Sequence, residues 1–178
     1  RKYTWKQVYE RSTKFANSLE KQGIGLGDTV SILAANTPEL FEAHYSVPMT
    51  GAVINTINIR LDPHTIAYIL DHSDAKLFIM DTQFSPTIKK ALELVSKKIP
   101  IIDIVDDKAQ LNEDEGEKLG QWTYEEFLEL AYVETIDHDS DKETNTIFVT
   151  LDASNSFDGG NVADKLVTYV DVPDTKKP

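Results

Sequence analysis

The sequence of 178 residues carries a net charge of −12, which argues against nucleic acids or anionic membrane surfaces as partners because both would repel it. It contains no cysteine, which excludes thiol catalysis, disulfides and thiolate zinc sites and is compatible with a reducing compartment. No apolar run approaches the ~20 residues that a membrane-spanning helix needs. We therefore expect a cytoplasmic protein without a transmembrane segment.

The chain begins with the pattern of an amphipathic helix over residues 5–22. Thr4 is suited to cap this helix, and Gly23 supplies the left-handed residue that ends it. A short aliphatic strand over residues 29–34 follows. Thr37 and Pro38 then restart a helix, since threonine caps well and proline at the first helical position loses no hydrogen bond.

The same alternation continues along the chain, with each short apolar strand followed by a helical pattern. The predicted strands are 52–57, 76–80 and 100–105, and the predicted helices are 63–73, 86–98 and 122–131, the last with Thr123 and Glu126 as a capping box. Strands that alternate with helices favour a parallel sheet with right-handed crossovers. The predicted fold class is therefore α/β, a doubly wound and mainly parallel sheet with helices on both faces.

Two polar stretches suggest how the chain is organised. Residues 106–120 are acidic and poor in core-forming side chains, which is typical of a solvated surface loop. A second polar linker, at 138–145, favours division into an α/β region at 1–136 and a tail at 137–178. The tail contains two candidate strands, at 146–151 and 165–172, which we expect to join a sheet edge or to form a hairpin.

Two glycine-containing segments invite a binding interpretation that their context disfavours. Gly23, Gly25 and Gly27 close a helix and lead into a strand, whereas phosphate turns follow a strand and open a helix, so a turn is the better interpretation. Residues 152–161 are rich in acids, but an EF-hand counted from Asp152 would place Phe157 where glycine is required. We expect a connecting turn there and no metal site.

The remaining candidates for chemistry do not form a catalytic constellation. Arg60 stands near a predicted strand end beside Asn55, Asn58 and Asp62, where open α/β sheets gather ligands, although an ion pair with Asp62 or turn hydrogen bonds explain it better. The four histidines are not spaced as the ligands of one metal; they are His44, His64, His72 and His138. Ser154 and Ser156 lack a nearby base that would make either of them a nucleophile. The sequence therefore predicts no catalytic, cofactor-binding or metal-binding residue in this chain.

Two long phrases carry a family resemblance. TWKQVYERSTKFANSLEKQGIGLGDTV and EAHYSVPMTGAVINTINIRLDPHTIAYILDHSDAKLFIMD agree in order and spacing with the opening region of the AMP-forming fatty acyl-CoA synthetases of the medium- or long-chain type. The resemblance extends from Tyr3 to about Ala131. It implies the amino-terminal scaffold of an adenylate-forming ligase, whose complete form uses ATP, Mg²⁺ and CoA.

The resemblance breaks off near Asp137. The family continues into a strand and a Ser/Thr/Gly-rich phosphate loop followed by Pro-Lys-Gly, whereas this chain reads TNTIFVTLDASNSFDGGNVADK. A phosphate loop needs convergent backbone N–H groups and a lysine, and Asp152, Asp158 and Asp164 place negative charge there instead. We therefore expect a chain truncated before the phosphate loop, with no cofactor of its own.

Three hypotheses of function follow. The chain is a fragment or diverged relative of a fatty acyl-CoA synthetase without ligase activity alone, or a non-catalytic module that binds a partner or an acyl ligand, or one chain of a split ligase. Its expected partners are the remainder of a ligase or a second copy of itself. A homodimer is expected because an incomplete domain leaves sheet edges and apolar surface uncovered.

Overall fold

The computed structural model describes residues 2–105 and 116–131, together with the backbone of two strands at 146–151 and 166–171. Five helices are present in these ranges: α1 (Trp5–Lys21), α2 (Pro38–Met49), α3 (Pro63–His72), α4 (Ser85–Leu92) and α5 (Tyr124–Glu129). The described strands are β1 (Thr29–Leu33), β2 (Val53–Thr56), β3 (Ala75–Asp81), β4 (Ile101–Ile104), β5 (Trp122–Thr123), β6 (Thr146–Leu151) and β7 (Leu166–Asp171). None of the described helices is long and apolar enough to cross a membrane.

The first five strands form one parallel sheet in the order β2-β1-β3-β4-β5. The chain reverses its direction of travel across the sheet between β1 and β3, which are neighbours although β2 lies between them in sequence. This arrangement confirms the predicted α/β fold with a mainly parallel sheet. It also defines a topological switch point at the carboxyl ends of β1 and β3.

Helices cover both faces of the sheet, as predicted, and each face buries its own apolar cluster. Helices α1, α2 and α5 cover one face, where Phe15 stacks on Tyr124 with ring centroids 4.6 Å apart. Helices α3 and α4 cover the other face around Phe78. Strand β3 is buried along nearly its whole length because it contributes alternate residues to both clusters, which explains its continuous apolar sequence.

The helix boundaries follow from local capping chemistry. Thr4 and Gln7 form a reciprocal capping box at the start of α1. At its end, Gly23 adopts φ +74° and the Ile24 N–H donates to Leu19 O over 3.0 Å, the hydrogen bond of a Schellman cap. Thr123 and Glu126 form the second predicted capping box, at α5.

Helices α4 and α5 depart furthest from the ranges predicted from the sequence. Helix α4 ends at Leu92 rather than continuing to residue 98, since the Ser96 N–H and hydroxyl bind the Asp71 carboxylate and draw the chain out of the helical path. Trp122 and Thr123, predicted as the start of a helix, instead pair with β4 as the short strand β5. Two residues are too few to produce an alternating pattern in the sequence.

The chain divides into two units, Arg1–Tyr132 and Val133–Pro178. In the second unit, β6 and β7 pair antiparallel as a two-stranded sheet, with Thr146 opposite Asp171 and Leu151 opposite Leu166. The predicted boundary after residue 136 stays a prediction, because it falls outside the described residues. Residues 106–115 of the acidic loop predicted at 106–120, and the segment between β6 and β7, also lie outside the described residues.

Candidate functional site

The carboxyl ends of β1 and β3 are the place where an open α/β sheet offers a ligand site. After β1, Thr37 caps α2 by accepting a hydrogen bond from the Leu40 N–H over 3.3 Å. After β3, the buried Asp81 carboxylate accepts from the backbone and side chain of Gln83 over 3.1 and 2.7 Å. The side chains of Thr37 and Asp81 therefore stabilise the segments that follow β1 and β3 by hydrogen bonds to residues two or three positions further on.

The Arg60 region is built as a turn, in agreement with the interpretation favoured from sequence. The Arg60 N–H donates to Asn58 Oδ1 over 2.9 Å, and Asn55 donates to Ser31 Oγ over 2.9 Å. Asp62 caps α3 through the N–H groups of His64 and Thr65 and the Thr65 hydroxyl, and these hydrogen bonds lower the pKa of its carboxyl. Within the described ranges no ion pair joins Asp62 to Arg60, whose side chain is exposed.

The other candidates from the sequence lie apart from one another. His44 Nδ1 is 2.7 Å from Leu40 O, and the exposed His72 ring stacks on Tyr68. His64 is exposed at the start of α3. No group of three His, Cys, Asp or Glu side chains arranged to hold a metal occurs in the described part of the chain. His138, Ser154, Ser156 and the acidic segment 152–161 lie outside the described residues.

The glycine-containing segment is a cap and a turn. Gly27 has φ +82°, and its N–H donates to Gly51 O over 3.2 Å. Asp28 accepts a hydrogen bond from the Gly25 N–H over 3.0 Å. This segment borders a cavity of about 290 Å³ at the amino ends of the strands, lined by Gln22, Gly23, Ile24, Asp28, Lys76, Leu77, Pro100 and Trp122. The cavity lies at the opposite end of the strands from the switch point.

A partly buried ionic cluster joins α1, α2 and α5, and the sequence interpretation missed it. Arg11 Nε donates to Glu42 Oε1 over 2.7 Å, while its two terminal nitrogens donate to both carboxylate oxygens of Glu125 over 2.7 and 2.8 Å. The Arg11 guanidinium also lies 5.8 Å from the centre of the Tyr124 ring. We call Arg11, Glu42, Glu125 and Tyr124 the three-helix clasp. Its signal in the sequence is an arginine four residues before Phe15, on the apolar stripe of α1.

Burial sets the electrostatics of the three-helix clasp. Removal from water raises the pKa of the fully buried Glu42 carboxyl, against the lowering effect of Arg11. The pKa of Arg11 is raised because its hydrogen bonds to Glu125 and Glu42 outweigh the opposing effect of burial. Burial and the neighbouring Glu42 raise the pKa of the Tyr124 phenol, which stays neutral. The three-helix clasp therefore links three helices through Arg11, with the Glu42 side chain buried between them and the Glu125 side chain 57% exposed.

Another buried carboxylate, Asp103 on β4, anchors the segment that leads to β5. It accepts hydrogen bonds from the Leu119 and Gly120 N–H groups over 3.2 and 2.9 Å. Burial raises the pKa of the Asp103 carboxyl, and these two N–H donors partly offset that effect. The Asp103 carboxylate is therefore occupied by hydrogen bonds from the backbone of the neighbouring segment.

Taken together, the described side chains with perturbed pKa values serve caps, turns, helix packing and exposed ion pairs, in a doubly wound α/β fold whose switch point lies at β1 and β3. The family of AMP-binding enzymes matches residues 1–150 of the sequence. The chain belongs to this family. The match and the parallel sheet together identify it as the amino-terminal portion of an adenylate-forming ligase fold.

The curated relatives are CoA ligases that act on different acids. An acetate–CoA ligase from Humulus lupulus is 40% identical over 137 residues, which are 72% of this chain and 24% of the relative. A peroxisomal trans-cinnamate:CoA ligase from Petunia hybrida is 46% identical over 118 residues, or 60% of this chain and 21% of the relative. A peroxisomal butyrate–CoA ligase from Arabidopsis thaliana is 49% identical over 94 residues, or 53% of this chain and 16% of the relative. The chain thus spans about a quarter or less of these relatives.

Solved structures show the same fold at lower sequence identity. The anthranilate CoA ligase AuaEII in complex with anthranoyl-AMP matches with a TM-score of 0.63 and 22% identity, over 72% of this chain and 23% of that protein. A benzoate CoA ligase from Burkholderia xenovorans LB400 matches with a TM-score of 0.59 and 23% identity, over 72% and 23%. Both likenesses concern the α/β scaffold.

Proposed function

We propose that the chain supplies the amino-terminal scaffold of an AMP-forming acid–CoA ligase and has no ligase activity by itself. The observation that carries this proposal is the contrast between the complete sheet of the first unit and the sequence that follows β6. Its first part, residues 152–165, has scattered serines and glycines, three aspartates and no Pro-Lys-Gly. Backbone N–H groups that converge on a phosphate, with a lysine to neutralise it, are what ATP binding requires.

The described polar groups support the same proposal. Thr37, Asp62 and Asp81 are all engaged as caps, and Arg11 is engaged by two carboxylates. None of these groups is left to position a nucleotide or to stabilise a developing negative charge. ATP, Mg²⁺ and CoA would therefore be held by sequence other than the described residues, in an enzyme that contains the remainder of a ligase.

The substrate class is part of the proposal. The resemblance in the sequence favours medium- or long-chain fatty acids. The names of the relatives specify acetate, butyrate and trans-cinnamate, so the range to be tested includes short aliphatic and aromatic acids as well. In each case the reaction would be acid activation by ATP followed by transfer to CoA.

A pyrophosphate-release assay on the purified chain tests the proposal. The acids are acetate, butyrate, trans-cinnamate and palmitate, each with ATP, Mg²⁺ and CoA, and a full-length relative serves as the positive control. We expect the relative to turn over and the 178-residue chain to remain at the background rate. Turnover by the chain at about one per second or faster, an ordinary enzymatic rate, would overturn the proposal.

The cytoplasmic location is proposed from the sequence, and the names of two relatives specify the peroxisome instead. Fluorescent fusions at each end of the chain, compared with a peroxisomal marker, distinguish the two locations. Diffuse fluorescence from both fusions is the expected result.

A further inference from the structure

Strand β2 lies at the edge of the parallel sheet, and its backbone hydrogen bonds show which groups face outward. The Val53 N–H donates to Asp28 O and the Ile57 N–H donates to Ile32 O, both over 2.8 Å. Successive residues of a strand alternate their backbone groups between its two sides, so Ile54 and Thr56 direct their N–H and C=O groups away from β1. In the described sheet, β1 is the neighbour of β2 on one side only.

This edge lacks the usual protection against pairing. Natural edge strands carry charged side chains, prolines or bulges that prevent another strand from adding. Residues 43–59 contain no Asp, Glu, Lys or Arg, although the chain as a whole has 18 basic and 30 acidic residues. Three large apolar side chains on or beside the edge are exposed, namely Val53 at 56%, Leu26 at 60% and Ile59 at 39%.

We propose that β2 is a dimerisation edge and that its occupant is β2 of a second copy of the chain, paired antiparallel about a two-fold axis at Asn55. In this register Ile54 lies opposite Thr56 of the partner subunit. Residues whose backbone groups both face outward form the hydrogen-bonded pairs of an antiparallel ladder, so the two copies exchange four N–H···O=C bonds. A two-fold interface requires a self-complementary edge, and this register provides one.

Charge favours a second copy over a charged partner. A protein of net charge −12 repels its own copies, but β2 and the residues that flank it at 50–59 carry no formal charge where the strands would meet. Arg60 follows the carboxyl end of β2. In the antiparallel arrangement this end lies next to the start of β2 of the partner subunit, which is the end beside Asp28.

The edge is short, so the dimer is expected to be weak. Stable protein interfaces commonly bury about 1,600 Å² in total, and four residues of strand with three neighbouring side chains cover less than that. The proposal therefore predicts an equilibrium between monomer and dimer that shifts with protein concentration, rather than a permanent complex.

Sedimentation velocity of the full chain over a wide concentration range tests the proposal, with two variants of the edge. Thr56→Pro removes an outward N–H and spares the bonds to β1, and Val53→Lys places a charge on the edge. Leu94→Lys is the matched control, because Leu94 is an exposed apolar residue, 47% accessible, that follows α4. We expect a concentration-dependent dimer in the wild-type chain and in Leu94→Lys. Either edge variant should weaken the dimer at least about tenfold, since each change acts twice across the two-fold axis.

Amide hydrogen exchange of Ile54 and Thr56 provides a readout that does not depend on the variants. Protection of both amides that increases with protein concentration supports the proposal. A monomer at every concentration would overturn it, as would a dimer that both edge variants leave unchanged. Protection that is independent of concentration would also overturn it, because the edge would then be covered by another segment of the same chain.

Discussion

Arg11 Nε lies 2.7 Å from Glu42 Oε1, and the two side chains expose only 16% and 0% of their surface. The same guanidinium binds Glu125 with both terminal nitrogens, so one arginine links helices that begin at residues 5, 38 and 124. A buried charge costs free energy unless it is paired and hydrogen-bonded. The three-helix clasp therefore makes the packing of α1, α2 and α5 interdependent.

Replacement of Arg11 by Met should destabilise the fold by about 3–5 kcal/mol, because it leaves the Glu42 carboxylate buried without its partner. Urea unfolding followed by circular dichroism measures the change. Glu125→Gln is the matched control: its side chain is 57% exposed, so loss of this ion pair should cost no more than about 1 kcal/mol. The double variant Arg11→Met with Glu42→Gln should recover part of the loss. Equal losses for Arg11→Met and Glu125→Gln would contradict the assignment of the buried pair.

The sequence was sufficient for those features that depend on residues close together in the chain. The caps at Thr4 and Thr123, the helix restart at Thr37-Pro38 and the left-handed Gly23 were all predicted from local patterns and confirmed. Each of these caps is determined within about four residues. The parallel sheet was predicted differently, from the order in which strands and helices alternate along the chain.

Features that depend on contacts between residues far apart in the chain could not be predicted from local sequence patterns. Arg11 and Glu125 are 114 positions apart, and nothing in either helix alone indicates the other. Strand β5 exists because Trp122 and Thr123 pair with β4, and α4 stops early because Asp71 binds Ser96. In the candidate site, the sequence left two structural alternatives for Arg60: the turn hydrogen bonds are present, whereas the Asp62 carboxylate caps α3 instead of pairing with Arg60.

The carboxyl of Asp74 should titrate with a pKa of about 2, lowered by hydrogen bonds from Lys97 and Lys76. A carboxyl whose pKa is depressed from 3.8 stabilises the folded state above pH 3.8, and this contribution is lost as the pH falls through about 2. Carbon-detected NMR titration of the Asp74 side chain measures the value. The double variant Lys76→Gln with Lys97→Gln should move the pKa upward towards 3.8, and an unchanged pKa would contradict this origin of the shift.

Gly120→Ala should destabilise the first unit by about 1–3 kcal/mol, since a Cβ there would lie 2.5 Å from Ile101 O. The clash would also displace the Gly120 N–H from Asp103. Gly25→Ala is the control, because the nearest atom to its Cβ, Thr50 O, is 3.8 Å away and the change should lie within about 0.5 kcal/mol. Chemical denaturation of both variants provides the comparison. Equal stability of the two would mean that the segment before β5 can shift without cost.

The isolated chain should bind ATP·Mg²⁺ weakly or not at all. The side chains of Thr37, Asp62 and Asp81 are engaged as caps, and the sequence after β6 contains Asp152, Asp158 and Asp164 where the family has a lysine-bearing loop. Negative side chains near a triphosphate oppose its binding, and a nucleotide needs converging N–H donors that this sequence does not provide. Isothermal titration calorimetry measures the affinity, with a full-length CoA ligase relative as the positive control. The triple variant Asp152→Asn, Asp158→Asn, Asp164→Asn separates the two causes: it should remain a poor binder if the loop itself is missing. A micromolar dissociation constant for the wild-type chain would contradict the proposal and indicate that residues of this chain form a nucleotide site.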